Sequence, residues 1–228
     1  MTFSDRLFKK IEPVWNSYLE HPFIKGIGEG TLDKEKFIHY MQQDYVYLIE
    51  YSRVFAIGSA KANDIETMTI FANLLHGTMN FEMDLHREYA EKFGISNEQL
   101  EATEPSAIVT AYTSYMISQA ALGGVENAIA AVFACAWSYN WIGKKLAEWP
   151  GALDHELYGN WVKMYSSDGF TKIADDCLHL INDIAKDKPE HELKKMEEIV
   201  IQTSYFEYMF WDMAENTSMW PVKELADA

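Results

Sequence analysis

Residues 127–143 read NAIAAVFACAWSYNWIG and contain no charged side chain. Two glycines, Gly123 and Gly124, precede the stretch and would break a helix, so the pattern predicts an apolar helix over residues 125–149. A helix that crosses a membrane needs about 20 apolar residues, and this shorter run also contains the polar Ser138 and Asn140. We therefore expect a central helix buried within a soluble protein, and no membrane association.

Helical spacing and helix start and stop signals recur on both sides of this segment, whereas strand signals are nearly absent. The pattern predicts further helices over residues 3–19, 33–61, 63–94, 105–122, 154–164, 168–186 and 189–215. We expect an all-α fold with one domain over residues 1–228, a compact multi-helix bundle whose sites lie between facing helices.

Several local signals fix the expected helix ends. Asn63 with Glu66, and Ser96 with Gln99, have the spacing of a capping box at a helix start. The sequence HPFIKGIGEG over residues 21–30, with one proline and three glycines, predicts a broken connection between the first two long helices.

Composition narrows the class of function. The 228 residues carry a formal net charge of −16, which makes nucleic acid an electrostatically poor partner. A hydrophobic content of 48% with 24% charged residues is typical of a packed protein rather than a disordered one. Two cysteines cannot form a disulfide framework, and no targeting segment is recognisable at the start, so we expect a cytoplasmic location.

Cys135 is the first candidate for chemistry, because Tyr139 lies one helical turn away and places a phenol on the same face. From this segment alone, a buried cysteine that behaves as a small hydrophobe is the commoner interpretation. Cys177 has no comparable partner at helical spacing, and we expect it to be structural.

Two carboxyl groups lie on otherwise apolar helical stripes. Asp44 shares a stripe with Tyr47 and Tyr51, and is either exposed at its edge or buried and hydrogen-bonded. Glu207 aligns with Phe210 and Trp211, where apolar surroundings would raise its pKa toward the range of a general acid; a surface glutamate is the alternative.

A different constellation is suited to metal binding. Glu82 and His86 are one helical turn apart, as are Asp175 and His179, while Asp176 and His179 have the spacing of carboxylate-bridged di-iron bundles. Two complete Glu-x-x-His motifs with two further glutamates are lacking. Hydrogen-bonded carboxylate–histidine pairs are therefore the favoured interpretation.

Four segments together resemble the thiaminase II (TenA) family, which has a heme-oxygenase-like all-α fold. They are residues 43–48 (QDYVYL), 135–139 (CAWSY), 165–170 (YSSDGF) and 207–214 (EYMFWDMA). The resemblance implies an aminopyrimidine aminohydrolase of thiamin salvage that also cleaves thiamin into its pyrimidine and thiazole parts. It further implies a cytoplasmic homotetramer that needs no cofactor or metal.

The resemblance also assigns roles to residues. It makes Cys135 the nucleophile, Glu207 the acid that protonates the pyrimidine ring, and Tyr47 the partner that hydrogen-bonds the thiol. Asp44 would bind the amino edge of the pyrimidine. The remaining expected substrate contacts are aromatic: Tyr51, Tyr112, Tyr139, Tyr165 and Phe210.

Two other functions compete with this expectation. A non-haem metal oxygenase on the same fold would use Glu82, His86, Asp175 and His179. A non-catalytic carrier of pyrimidine or thiamin would keep the aromatic slot and Asp44, but it would not need Cys135 and Glu207 together.

Overall fold

The computed structural model describes residues 1–222, and every regular element in that range is helical, as the periodicity predicts. The helices are α1 (Phe3–Glu20), α2 (Pro22–Glu29), α3 (Lys34–Lys61), α4 (Ile65–Gly77), a π-helical turn (Thr78–Glu82), α5 (Met83–Phe93), α6 (Asn97–Glu101), α7 (Ala107–Leu122), α8 (Val125–Ala147), α9 (Gly159–Ser166), α10 (Asp168–Ala185) and α11 (Glu190–Glu215).

Helix α8 is the centre of the bundle, as its uncharged sequence predicts. It packs against α3, α7, α9, α10 and α11. Buried residues occur along nearly the whole length of this helix. Within residues 1–222, no helix has both the length and the apolar character required to cross a bilayer.

The expected broken connection after α1 is wrong, because residues 22–29 form helix α2. Pro22 occupies the first helical position, and the His21 ring accepts a hydrogen bond from the backbone N–H of Phe23 at 3.2 Å. Of the three glycines, only Gly30 ends the helix, with φ 72°. A Cβ on Gly26 would lie 2.9 Å from Cβ of Leu32, so that glycine permits close packing.

The single helix expected over residues 63–94 consists of three parts. It starts at the cap Asp64, whose carboxylate accepts from the Thr67 N–H at 2.7 Å, so the Asn63–Glu66 capping box is wrong. The π-helical turn Thr78–Glu82 then separates α4 from α5, and Gly94 ends α5. The capping box of Ser96 and Gln99 is confirmed.

The helix expected over residues 154–164 begins later than predicted, at Gly159, because residues 154–158 form turns. Residues 165 and 166 also belong to this helix rather than to a separating loop. Ser167 caps α10 by accepting a hydrogen bond from the Phe170 N–H at 3.1 Å.

Helices α8 and α9 approach each other backbone to backbone at Gly143. A Cβ at this position would lie 2.6 Å from the carbonyl carbon of Tyr165 and 2.8 Å from the nitrogen of Ser166. One turn earlier, the Asn140 side-chain amide donates to the Tyr165 carbonyl at 2.9 Å. The position of Tyr165 therefore depends on a glycine in the central helix.

Replacing Gly143 by alanine should lower the free energy of unfolding by about 1–3 kcal/mol, the usual range for overpacking, although alanine is the better helix former. Denaturant unfolding measures the change. Gly169→Ala is the matched control, because the nearest atom to its added Cβ is Ser167 Oγ at 3.8 Å. Equal stabilities of the two variants would contradict the close approach.

Candidate active site

Helix α3 brings Asp44, Tyr47 and Tyr51 to the interior, and all three are buried. Asp44 is 2% exposed, which decides between the two possibilities left open by the sequence. Its Oδ2 accepts a hydrogen bond from the Tyr40 hydroxyl at 3.1 Å and faces Nε2 of His86 at 2.8 Å. The carboxylate is therefore held by two buried partners.

The surroundings of His86 favour its charged form. Its Nδ1 lies 2.9 Å from the carbonyl oxygen of Glu82, and its Nε2 faces Asp44, so both ring nitrogens meet hydrogen-bond acceptors. Burial lowers the pKa of His86, but the hydrogen bond and charge of Asp44 outweigh it, and the net pKa lies above its ordinary value. An imidazolium satisfies both acceptors at once.

Cys135 and Tyr139 lie one turn apart on α8, and both are buried. Burial raises the pKa of the Cys135 thiol well above its ordinary value, and the charges of Glu207 and Glu82 raise it further. The Tyr47 hydroxyl acts in the opposite direction, although its hydrogen bond in the structure goes to Sδ of Met116 at 3.7 Å. The thiol is therefore protonated at rest.

Glu207 on α11 is 2% exposed, so the surface alternative is wrong. The Tyr112 hydroxyl donates to its Oε1 at 2.6 Å. Burial raises the pKa of Glu207 to about 8, against hydrogen bonds from Tyr112 and Cys135 that lower it. Near neutral pH this carboxyl holds a proton and contacts the thiol.

Aromatic rings form the walls around these groups. The Tyr47 ring centroid lies 5.1 Å from that of Tyr112 and 5.6 Å from that of Phe210. Tyr139 packs against Tyr165 at 4.8 Å. The Tyr51 hydroxyl donates to the Val132 carbonyl at 2.9 Å, so it links α3 to α8.

Glu82 completes the cluster at the end of the π-helical turn. It is 8% exposed, and the Tyr165 hydroxyl donates to its Oε1 at 3.0 Å. From the sequence, Glu82 and His86 were expected to form a hydrogen-bonded carboxylate–histidine pair, with metal binding as the alternative, and Tyr40 was not identified. The expected pair is wrong, because His86 contacts the backbone carbonyl of Glu82 and the carboxylate of Asp44. His86 and Asp44 are more than 40 residues apart in the chain, so their contact has no signal in the local sequence.

The four residues of the metal alternative do not converge. Glu82 and His86 are buried beside Asp44, whereas Asp175 and His179 are exposed on α10. His179 instead lies 4.0 Å from Glu66. No group of three or more His, Cys, Asp or Glu side chains in residues 1–222 is arranged to hold a metal ion.

Cys177 is buried on α10, and burial raises the pKa of its thiol to about 12. It takes part in no contact with Asp44, Cys135 or Glu207 among the hydrogen bonds of residues 1–222. The structure therefore places one cysteine inside the cluster and one outside it.

The structure is thus an all-helical bundle that holds a thiol and three carboxyl groups in an aromatic interior. The model of the TENA/THI-4/PQQC family matches residues 8–217, and the chain belongs to this family. A protein named aminopyrimidine aminohydrolase from Halalkalibacterium halodurans is 50% identical over 220 residues, 96% of this chain and 98% of the relative. Another of that name, from Helicobacter pylori, is 38% identical over 214 residues, covering 94% and 99% of the two chains.

Solved structures share the fold. A protein described as a TenA family transcription regulator from Silicibacter sp. TM1040 matches with a TM-score of 0.86 at 29% identity, over 93% of this chain and 96% of that one. A Shewanella denitrificans OS217 domain described as having a heme oxygenase-like fold matches with a TM-score of 0.76 at 15% identity, over 93% and 92%. The expected heme-oxygenase-like all-α fold is confirmed.

Replacing Asp44 by asparagine should lower the pKa of His86, because the hydrogen bond and charge of Asp44 are the largest effects that oppose burial. A pH titration of the histidine ring resonances by NMR measures the shift. The resonance of His179, whose side chain is 63% exposed on α10, serves as the control and should behave alike in both proteins. An unchanged His86 titration would contradict the buried pair.

Proposed function

We propose that this chain is an aminopyrimidine aminohydrolase of thiamin salvage. It hydrolyses 4-amino-5-aminomethyl-2-methylpyrimidine to the 5-hydroxymethyl pyrimidine, and it cleaves thiamin into pyrimidine and thiazole. The observation that carries the proposal is the cluster of Cys135, Glu207 and Asp44 in one buried aromatic interior. The two near full-length relatives named aminopyrimidine aminohydrolase support the substrate class.

Asp44 binds the amino edge of the pyrimidine. Tyr40 and His86 both contact Oδ2, which leaves Oδ1 to accept a hydrogen bond from the exocyclic amine. An ionised carboxylate accepts hydrogen bonds and does not donate them. Tyr139, Tyr165, Tyr51 and Phe210 contribute flat walls for the ring.

Cys135 attacks the ring, and Glu207 moves the proton that this attack requires. The protonated Glu207 donates to a ring nitrogen while the thiol passes its own proton to the same carboxyl group. A carbon–sulfur bond forms, the nitrogen gains a proton, and no thiolate is left unpaired in the apolar interior. This relay explains why an acid with a pKa of about 8 contacts a thiol whose pKa is raised.

Addition of sulfur makes departure of the amine possible. The ring has lost its aromaticity, and its electrons expel the leaving group from the exocyclic methylene. Water then adds to that carbon and loses a proton to solvent. The sulfur leaves as the ring becomes aromatic again; the ring nitrogen returns its proton to Glu207, and Glu207 protonates the departing thiolate. Covalent catalysis divides one difficult displacement into easier steps. The scheme uses no cofactor or metal.

Tyr47 and Tyr112 orient the two reacting groups. Tyr112 donates to Glu207 Oε1 at 2.6 Å, which directs the other carboxyl oxygen toward the thiol and the ring. The Tyr47 hydroxyl lowers the pKa of Cys135 and favours its attack. A carrier protein would need neither Cys135 nor this arrangement, which favours the enzyme over the carrier.

The proposal includes a cytoplasmic homotetramer built from one domain over residues 1–228. A continuous buried core from Leu7 to Ala214 supports a single domain. Both cysteines are free thiols, as a reducing compartment allows. Exposed apolar side chains such as Leu122 and Tyr205, 88% and 51% exposed, are of the kind that a subunit interface covers.

Replacing Cys135 by serine should abolish turnover while the protein still folds and binds the pyrimidine, because serine is nearly isosteric but far less nucleophilic. Steady-state hydrolysis of the aminomethyl pyrimidine measures the effect. Cys177→Ser is the matched control and should retain activity. Full turnover in Cys135→Ser, or its loss only in Cys177→Ser, would exclude Cys135 as the nucleophile.

Replacing Glu207 by glutamine should lower kcat by roughly 10²–10⁴-fold, the usual contribution of general acid–base catalysis. The acid must hold its proton, so kcat/KM of the wild type should fall as the pH rises through the Glu207 pKa of about 8. Glu207→Gln should remove this limb from the residual activity. A limb that persists in the variant would assign it to another group.

A further inference from the structure

Glu82 is the third carboxyl group of the interior, and no step of the proposed reaction uses it. Its side chain accepts one hydrogen bond, from the neutral Tyr165 hydroxyl. The nearby imidazolium of His86 is directed at Asp44 instead. No cationic side chain within residues 1–222 forms a salt bridge with Glu82. The carboxyl group is therefore buried without an ion pair of its own, and the charge of His86 acts on it without direct contact.

The position of Glu82 places it near the expected site of the substrate's leaving group. His86 bridges the two groups, with Nδ1 at 2.9 Å from the Glu82 carbonyl and Nε2 at 2.8 Å from Asp44. Glu82 thus lies on the Asp44 side of the cluster. In the proposed substrate, the ring carbon that bears the exocyclic amine is adjacent to the ring carbon that bears the methylene and its leaving group. Binding of the amine by Asp44 directs the leaving group toward this side.

We propose that Glu82 is a specificity-determining residue that selects aminopyrimidines whose leaving group is cationic, either a primary ammonium or a thiazolium. This inference rests on the proposed aminohydrolase function. Aminopyrimidines with a neutral leaving group, such as a formylated amine, are therefore not preferred substrates.

Electrostatics supports this role. Burial, and then the charge of Asp44, raise the pKa of Glu82 to about 7, and the charge of His86 and the hydrogen bond from Tyr165 offset this only in part. A positive charge on the ligand supplies the missing ion-pair partner and favours the ionised form. The hydroxymethyl product carries no charge and loses this attraction. The same residue therefore favours binding of the substrate and release of the product.

The test separates charge from shape by using three ligands that share the aminopyrimidine ring. They are the 5-aminomethyl pyrimidine, whose ammonium can donate a hydrogen bond; thiamin, whose thiazolium has charge but no N–H; and the neutral 5-hydroxymethyl pyrimidine. Calorimetric titration into Cys135→Ser protein gives Kd without turnover. The second protein carries Glu82→Gln in addition, which removes the charge and keeps the size of the side chain.

The added Glu82→Gln change should weaken binding of both cations by about 10- to 100-fold, the range for losing an interaction with a charged group. Binding of the neutral ligand should change by less than about threefold. Glu82→Asp keeps the carboxylate and should retain more of the preference for cations. Glu88→Gln, an exposed change on the neighbouring helix α5, is the matched control and should leave all three values unchanged.

Equal weakening of all three ligands in Glu82→Gln, or no weakening of any, would overturn the role of Glu82 while leaving the proposed function intact. Failure of the Cys135→Ser protein to bind any of the three would overturn the proposed function and this inference together. Circular dichroism of each variant confirms that the compared proteins are folded.

Discussion

Three carboxyl groups lie inside a core of aromatic rings, and the need to provide each with a hydrogen-bond donor constrains the rest of the structure. An unpartnered carboxyl group in such surroundings would cost several kcal/mol. Phenol hydroxyls are donors to all three: Tyr40 donates to Asp44, Tyr165 donates to Glu82, and Tyr112 donates to Glu207. The sequence contains 13 tyrosines, and these pairings explain why several of them are buried. The helices are held in the arrangement that brings phenol and carboxyl group together.

The three acids differ because their partners differ. Asp44 faces an imidazolium and has a cationic countercharge, whereas Glu82 and Glu207 receive hydrogen bonds from neutral hydroxyls. Burial consequently raises the pKa of Glu82 to about 7 and that of Glu207 to about 8. Carboxyl groups thus serve as the hydrogen-bond partner of a histidine, as a proton donor and as a group whose charge depends on what binds beside it. Placement, rather than residue type, makes the distinction.

Much of this arrangement could be predicted from local sequence. Periodicity located the long helices, and stripes of apolar residues singled out Asp44 and Glu207 on α3 and α11. The partner of Asp44 could not be predicted, because His86 lies 42 residues away and only folding brings the two together. Helix α2 was missed because a glycine that permits close packing, such as Gly26, looks the same in the sequence as one that ends a helix. The π-helical turn has no propensity signal, since tertiary packing selects it.

In the π-helical turn, the number of residues is more tightly constrained than their identity. Each residue added to a helix rotates the remainder of that helix by about 100°. The wider turn at Thr78–Glu82 therefore sets the direction in which His86 points toward α3. Met79, Asn80 and Phe81 are exposed and have room for other side chains. Deleting any one of them would turn the imidazole away from its carboxylate, so this stretch tolerates substitution far better than insertion or deletion.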